Sequence, residues 1–184
     1  MAHVMKEGKM ASNILDSALA NALVVDANGD AIDAYDGSLV VLGDLVPDTT
    51  YDQNGLEYDL YLAKAPAAAT DEVVIIDYAG ISEGEIAGNN YKLGQKLYDL
   101  KVPAGTPTRV RRLHLHDKFW LGEDNFASAP VVGEFAVATA GAMTHTPAAS
   151  LAAGQYNVKV LVKEDLTAGM ASKGSIYLCE VVAL

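Results

Sequence analysis

The stretch Arg109-Val110-Arg111-Arg112-Leu113-His114-Leu115-His116-Asp117-Lys118-Phe119-Trp120-Leu121 decides how the rest of the chain reads. It holds the only tryptophan, three arginines and two of the four histidines. Side chains alternate across a strand with period 2. Read that way, Arg109, Arg111, Leu113 and Leu115 share one face, and Val110, Arg112, His114 and His116 share the other. Leu113 and Leu115 are predicted to enter a core, leaving both histidines outward. Asp117-Lys118 reads as a bend, after which Phe119-Trp120-Leu121 begins a second strand closed by Gly122.

The flanking segments follow the same logic. Tyr156, Val158, Val160 and Val162 alternate with Gln155, Asn157, Lys159 and Lys163, an amphipathic strand with Val158 and Val160 in the core. Val73–Ile76 is an apolar, β-branched run that fits a strand buried on both faces. Leu56–Leu62 alternates cleanly, Ser38–Leu42 and Leu23–Val25 read as strands, and Ser175–Leu184 as the last one. Val131–Thr139 reads as a strand with a bulge at Gly133. Loops are expected over Asp48–Gly55, Gly80–Asn90, Ala140–Gly154 and Asp165–Gly174, with Tyr91–Leu100 irregular and Pro103–Pro107 a turn. Asn28-Gly29 is a hairpin signal, since both residues tolerate positive φ.

Upstream, residues 1–12 form a polar arm. Ser12-Asn13 is placed to cap a short helix over Ile14–Leu23, where Ile14, Leu15, Ala18, Leu19 and Ala22 fall at helical spacing. The expected fold is therefore all-β, a sandwich or partly open barrel of short antiparallel strands with an N-terminal arm and one short helix. The expected division is an arm over 1–22 and a single β domain over 23–184.

Composition narrows the function classes. The chain has 184 residues, is 51% hydrophobic and carries a net charge of −11, which argues for a packed core and against nucleic acid as a partner. Its one locally basic patch, Arg109–Arg112, is expected to pair with carboxylates of its own chain or a neighbour's. The single Cys179 rules out an internal disulfide and reads as a buried, inert thiol. No apolar run reaches the ~18–20 residues of a membrane span, so no membrane partner is expected. The N-terminus lacks the basic-then-apolar order of a signal peptide.

His114-x-His116 puts two imidazoles two residues apart, a spacing able to clamp a metal, with Glu123, Asp117 or His145 as a third ligand. The pattern resembles the His-x-His of cupins, but six residues separate His116 from Glu123 where three or four are expected. The favoured reading is two surface or interface histidines, with no metal and no cofactor. Asp26-x-Asn28-Gly29-Asp30 looks like a calcium-loop fragment, but its glycine falls at position 4 where an EF-hand needs it at 6, and the turn explains the residues without an ion. No Gly-x-Ser-x-Gly, Gly-x-Gly-x-x-Gly or Walker loop occurs.

In segment order the chain resembles the head decoration, or cement, proteins of tailed bacteriophages. The likeness rests on Leu19–Asp30 leading into Ser38-Leu39-Val40-Val41-Leu42-Gly43-Asp44, then Glu57–Ala63, then Arg109–Leu115 with His116-Asp117-Lys118-Phe119-Trp120. Such proteins often carry Gly-Asp before a hydrophobic strand, and His116 stands in place of that glycine. The resemblance implies a non-enzymatic virion protein on the outer capsid surface that stabilises the shell. Its partners would be the major capsid protein and sister copies, a homotrimer being one arrangement. Interface residues expected on that reading are Met1, Met5, Met10, Ile14, Leu15, Leu19, Arg112, His114 and His116. Two alternatives stay open: a cupin-like metal-binding enzyme using His114, His116 and Glu123, and a carbohydrate-binding or adhesion module using Tyr58, Tyr61, Tyr91, Tyr98 and Trp120.

Overall fold

A computed structural model describes residues 3, 5–15, 18–46, 60–78, 101–168 and 171–184. Met1, residues 56–59 of the strand expected over Leu56–Leu62, the segment Tyr91–Leu100 and the loops Asp48–Gly55 and 80–90 lie outside them. Thirteen strands are described, in chain order β1 (Met5–Glu7), β2 (Leu19–Val24), β3 (Ala34–Tyr35), β4 (Leu39–Leu45), β5 (Leu60–Lys64), β6 (Val74–Asp77), β7 (Lys101–Val102), β8 (Thr108–Arg112), β9 (Lys118–Gly122), β10 (Phe135–Val137), β11 (Thr146–Ala148), β12 (Asn157–Ala168) and β13 (Ala171–Ala183). The protein is all-β, mostly antiparallel and divided among several sheets.

Two sheets carry the fold. The order β2-β5-β4-β6-β8 closes into a five-stranded barrel, and β1-β9-β13-β12-β10-β11 forms a six-stranded antiparallel sheet. The barrel contains one parallel pair, β2 with β5, which the antiparallel expectation did not include. β3 and β7 make a separate two-stranded ribbon.

The β6 run shows why the two sheets share a core. Val74 and Ile76 point into the barrel with Val24, Val40 and Val110. Ile75 points outward, with Leu39, into a second cluster built from Phe119, Leu121, Tyr156, Val158, Val160, Tyr177 and Val181. The inner face of the six-stranded sheet thus packs on the outside of β4 and β6, and a β-branched run buried on both faces is what that position requires. Val158 and Val160 lie in this core as the alternation predicts.

Several expectations are corrected. The helix over Ile14–Leu23 is absent: a 3-10 turn spans Ala11–Asn13, and Leu19–Val24 is a barrel strand between β5 and β8. Two rows of backbone partners outweigh a short helical stripe that is marginal without packing of its own. The domain boundary drawn at residue 22 consequently falls inside β2. The expected loop over Asp165–Gly174 is largely ladder, with Thr167 opposite Ser172 and Ala168 opposite Ala171, so β12 and β13 form one long hairpin. Within Val131–Thr139 only Phe135–Val137 is a strand; Gly133 sits in a turn at φ 97°, where Glu134 N–H donates to the Val131 carbonyl. The expected exposed loop Ala140–Gly154 contains β11 and the fully buried His145.

Candidate interaction surfaces and the buried network beneath them

The alternation of the opening stretch holds only as far as β8. Val110 enters the barrel core, and Arg109 and Arg111 face outward opposite Asp77 and Ile75. Leu113 still reaches the second core, but Leu115 is 53% exposed, contrary to its expected burial. A tight turn explains the change. Asp117 N–H donates to the His114 carbonyl at 3.0 Å, and His116 adopts φ 71°, a left-handed conformation that resets the period. Phe119 and Leu121 then point inward, and Trp120 lies on the opposite face of β9.

Asp117 is the buckle of this region. It is buried, and its carboxylate accepts the Ala11 N–H at 2.7 Å and the His114 N–H at 2.9 Å. One side chain therefore ties the N-terminal segment to the turn at residues 114–117. Arg111 holds the same segment from the other side. Its guanidinium donates to Ser12 Oγ and Asn13 Oδ1, both at 3.0 Å, and pairs with Glu7 and, at 2.7 Å, with Asp77. Arg109 pairs with Asp77 at 2.5 Å, and Arg112 reaches Glu72 at 3.5 Å. The basic patch is thus matched by carboxylates of its own chain.

That arrangement changes the reading of the arm. Residues 5–7 pair with β9, Met5 opposite Leu121, and both Met5 and Met10 are buried in the protein's own core. They are not available as exposed interface residues. Gly8 permits the close approach, because a Cβ there would stand 2.3 Å from the Lys118 carbonyl oxygen. Ile14 and Leu15 do face solvent, Leu19 is half-buried in β2, and Arg112, His114 and His116 lie at or beyond the end of β8.

The metal-ligand candidates are not brought together. His116 Nδ1 lies 3.2 Å from Glu180 Oε1, and this imidazole is the main reason the Glu180 carboxyl titrates below its ordinary range. His114 is half-exposed, 3.9 Å from Asp117. Glu123 sits in the 3-10 turn after β9, and His145 is deep in the core. Among the described residues, no three His, Cys, Asp or Glu side chains gather where a metal ion could be held. Asp26 closes its turn by accepting the Asn28 and Asp30 N–H groups, and Cys179 is buried, its thiol pushed well up by desolvation.

Sequence reasoning missed the network around Asp36 and His145. Tyr156 O–H donates to His145 Nδ1 at 3.3 Å, and His145 Nε2–H donates to the Gly37 carbonyl at 3.2 Å. Both ring nitrogens are thereby satisfied in the neutral form. Complete burial takes the His145 pKa down to about 4. Asp36 accepts the Met5 N–H at 2.6 Å and the Tyr78 N–H at 2.8 Å, while Asn125 Nδ2 donates to its carbonyl at 2.6 Å. Burial outweighs those two donors and raises its carboxyl to about 7. Gly37 must lack a Cβ here: its φ is 81°, and a Cβ would meet Asn125 Nδ2 at 2.7 Å. An Asp-Gly turn and a lone histidine were the only signals in the sequence.

The outer face of the six-stranded sheet is the larger surface. Register places Lys6, Trp120, Leu178 and Val162 in one row across β1, β9, β13 and β12. The next row is Lys118, Glu180, Lys159 and Phe135, and the row on the other side holds Gly122, Ile176 and Glu164. Val162 is 41% exposed, and Trp120, Leu178 and Ile176 are partly exposed. An apolar, aromatic-centred strip is thus bordered by charges of both signs. At the β11 edge, Pro147 removes a backbone donor that a further strand would need.

No family model, no curated protein and no solved structure matches this chain.

Proposed function

We propose that this chain is a non-enzymatic structural protein that acts by binding protein surfaces, specifically as a decoration protein on the outer surface of a tailed-phage capsid. The observation that supports this reading most is the outer sheet face, where Trp120, Leu178 and Val162 form an apolar row flanked by Lys118, Glu180 and Lys159 on one side and by Ile176 and Glu164 on the other. An aromatic anchor within a polar rim is the anatomy of a protein contact surface. His145, Asp36, Arg111 and Cys179 are buried within the fold. Segment order, which resembles the cement proteins, supplies the choice of partner.

The test is cosedimentation of the purified chain with assembled shells of the major capsid protein from the same genome. Saturable binding is expected, together with a rise in the shell's melting temperature. Trp120→Ala should weaken binding at least tenfold while the free protein keeps its circular dichroism. A chain that never pellets with shells removes the capsid reading.

A further inference from the structure

The six-stranded sheet is open, and both of its outer edges are blunted. β1 is three residues long, and its outward Met5 N–H is already taken by Asp36 at 2.6 Å. β11 is also three residues long and carries Pro147. One stretch of ladder lacks this protection. β10 accompanies β12 only through Phe135–Val137, opposite Lys159, Val158 and Asn157. The turn at residues 131–134 then caps Val160, whose N–H donates to the Glu134 carbonyl at 2.9 Å and whose carbonyl accepts the Gly133 N–H at 2.8 Å. Beyond that point no described strand lies on this side of β12, and Val162, Lys163, Glu164 and Asp165 are exposed.

The backbone of this stretch is set out for pairing. Val160 directs both of its backbone groups at the turn, and a bulge between Val160 and Val162 inserts one residue against β13. Alternation along an antiparallel ladder then gives the backbone groups of Val162 and Glu164 to β13 and turns those of Lys163 and Asp165 to the open side. Unpaired edge groups are a template for a further strand. Lys163, which would deter one, is drawn back: its ammonium lies 5.9 Å from the Tyr177 ring centroid and 3.9 Å from Asp165. Side chains along the slot are apolar at the turn end and acidic beyond it. Val131 is 61% exposed, Val132 50% and Val162 41%. Glu164 follows Val162 on the same face of β12, is exposed, and forms no ion pair with any described residue.

We infer that the β12 edge over Leu161–Asp165 is a docking slot for an extended segment of another protein. The segment adds antiparallel to β12, in line with β10. It sets an aliphatic side chain beside Val162 and the valines of the turn, and a lysine or arginine beside Glu164. Main-chain hydrogen bonds give such strand addition its affinity, and alternate side chains give it specificity. The slot lies at the edge of the sheet, apart from Trp120 on its face, and requires no shell.

Amide nuclear magnetic resonance of the isotope-labelled full chain tests it, with the capped peptide acetyl-Thr-Lys-Thr-Val-Thr-Val-Thr-amide as probe. Saturable shifts are expected at the amides of Leu161–Asp165 and of residues 131–134, with hydrogen exchange slowed most at Lys163 and Asp165. Methylating the peptide nitrogens that face the slot should weaken binding at least tenfold, and so should replacing the peptide's lysine by glutamate. Glu164→Lys, at an exposed site outside the core, should invert that preference, so that the glutamate peptide binds the variant more tightly. No shift at the slot, equal binding by the methylated peptide, or a variant indifferent to peptide charge overturns the inference. Slot amides that shift with protein concentration alone would put a second copy there and overturn the assignment to a different protein. Shell cosedimentation is scored separately. A chain that takes the peptide but never pellets with shells keeps this inference and removes the capsid reading. Shell binding without shifts at the slot does the reverse.

Discussion

Asp36 and His145 titrate against each other across one pH window. The Asp36 carboxyl is raised from an ordinary value near 3.8 to about 7, so the fold holds its proton more tightly than the unfolded chain does. Its contribution is fully present near pH 4 and is lost as pH rises through 7. His145 is lowered from 6.5 to about 4, so its contribution is present above pH 6.5 and is lost as pH falls toward 4. Between pH 4 and 6.5 the two slopes oppose. Asp36→Asn removes one of them. The gap in unfolding free energy between parent and variant should therefore widen toward acid, by about 1.4 kcal/mol per pH unit at most. Urea titrations at pH 5 and pH 8 measure it. An unchanged gap would mean that the two N–H donors keep Asp36 ionised in the fold. At the surface, His114→Ala with His116→Ala should leave metal content and melting as they are, and stoichiometric metal lost in that variant would reinstate the His-x-His site.

At the scale of the element, the strands differ in what each tolerates. β12 turns Val158 and Val160 into a core with no exposed surface. Val160→Asp places an unpaired charge there, which costs several kcal/mol. Loss of near-ultraviolet circular dichroism at 25 °C is the expected result, and a variant that melts like the parent would contradict the register of β12. β1 is more conditional, because it is three residues long and joins the sheet at an edge. Gly8→Ala sets a methyl group against the Lys118 carbonyl oxygen and should cost about 1–3 kcal/mol. Hydrogen exchange should show the loss first at Met5–Glu7 and at their partners in β9.

For the whole molecule, the N-terminal segment joins the barrel to the sheet. Met5 and Met10 fill the shared core, Asp36 holds the Met5 amide, and Arg111 and Asp117 hold residues 7–13. Deleting residues 1–12 takes Glu7 and Ser12 from Arg111, the Met5 amide from Asp36 and the Ala11 amide from Asp117, and each buried polar group left unsatisfied costs about 1–3 kcal/mol. The truncated chain should lose most of its stability or fail to fold in thermal melts. Truncation that left melting unchanged would restore the idea of an independent arm. Arg111→Met tests the same joint without deletion and should destabilise by less, since Arg109 still pairs with both Glu7 and Asp77.

Much of this was legible in the sequence by itself. Period-2 alternation over Tyr156–Val160, the β-branched run at Val73–Ile76, the Asn28-Gly29 turn and the strand at Phe119–Leu121 depend on neighbours a few residues apart, and local patterning determines them; a bulge after Val160 ends the alternation and turns Val162 to the outer face, against its expected place beside Val158 and Val160. The all-β class follows from the same local signals. What only tertiary structure decided is where partners come from. Leu19–Val24 became a strand because β5 and β8 flank it, against its helical spacing. Arg111 became an internal fastener because Asp77, Glu7, Ser12 and Asn13 converge on it across as many as 104 positions of sequence. Asp36 and His145 acquired shifted pKa values through burial, which depends on how the barrel and sheet pack together. Hydrogen-bond partners, charge pairing and desolvation are all settled by residues far apart in the chain, and local spacing carries no record of them.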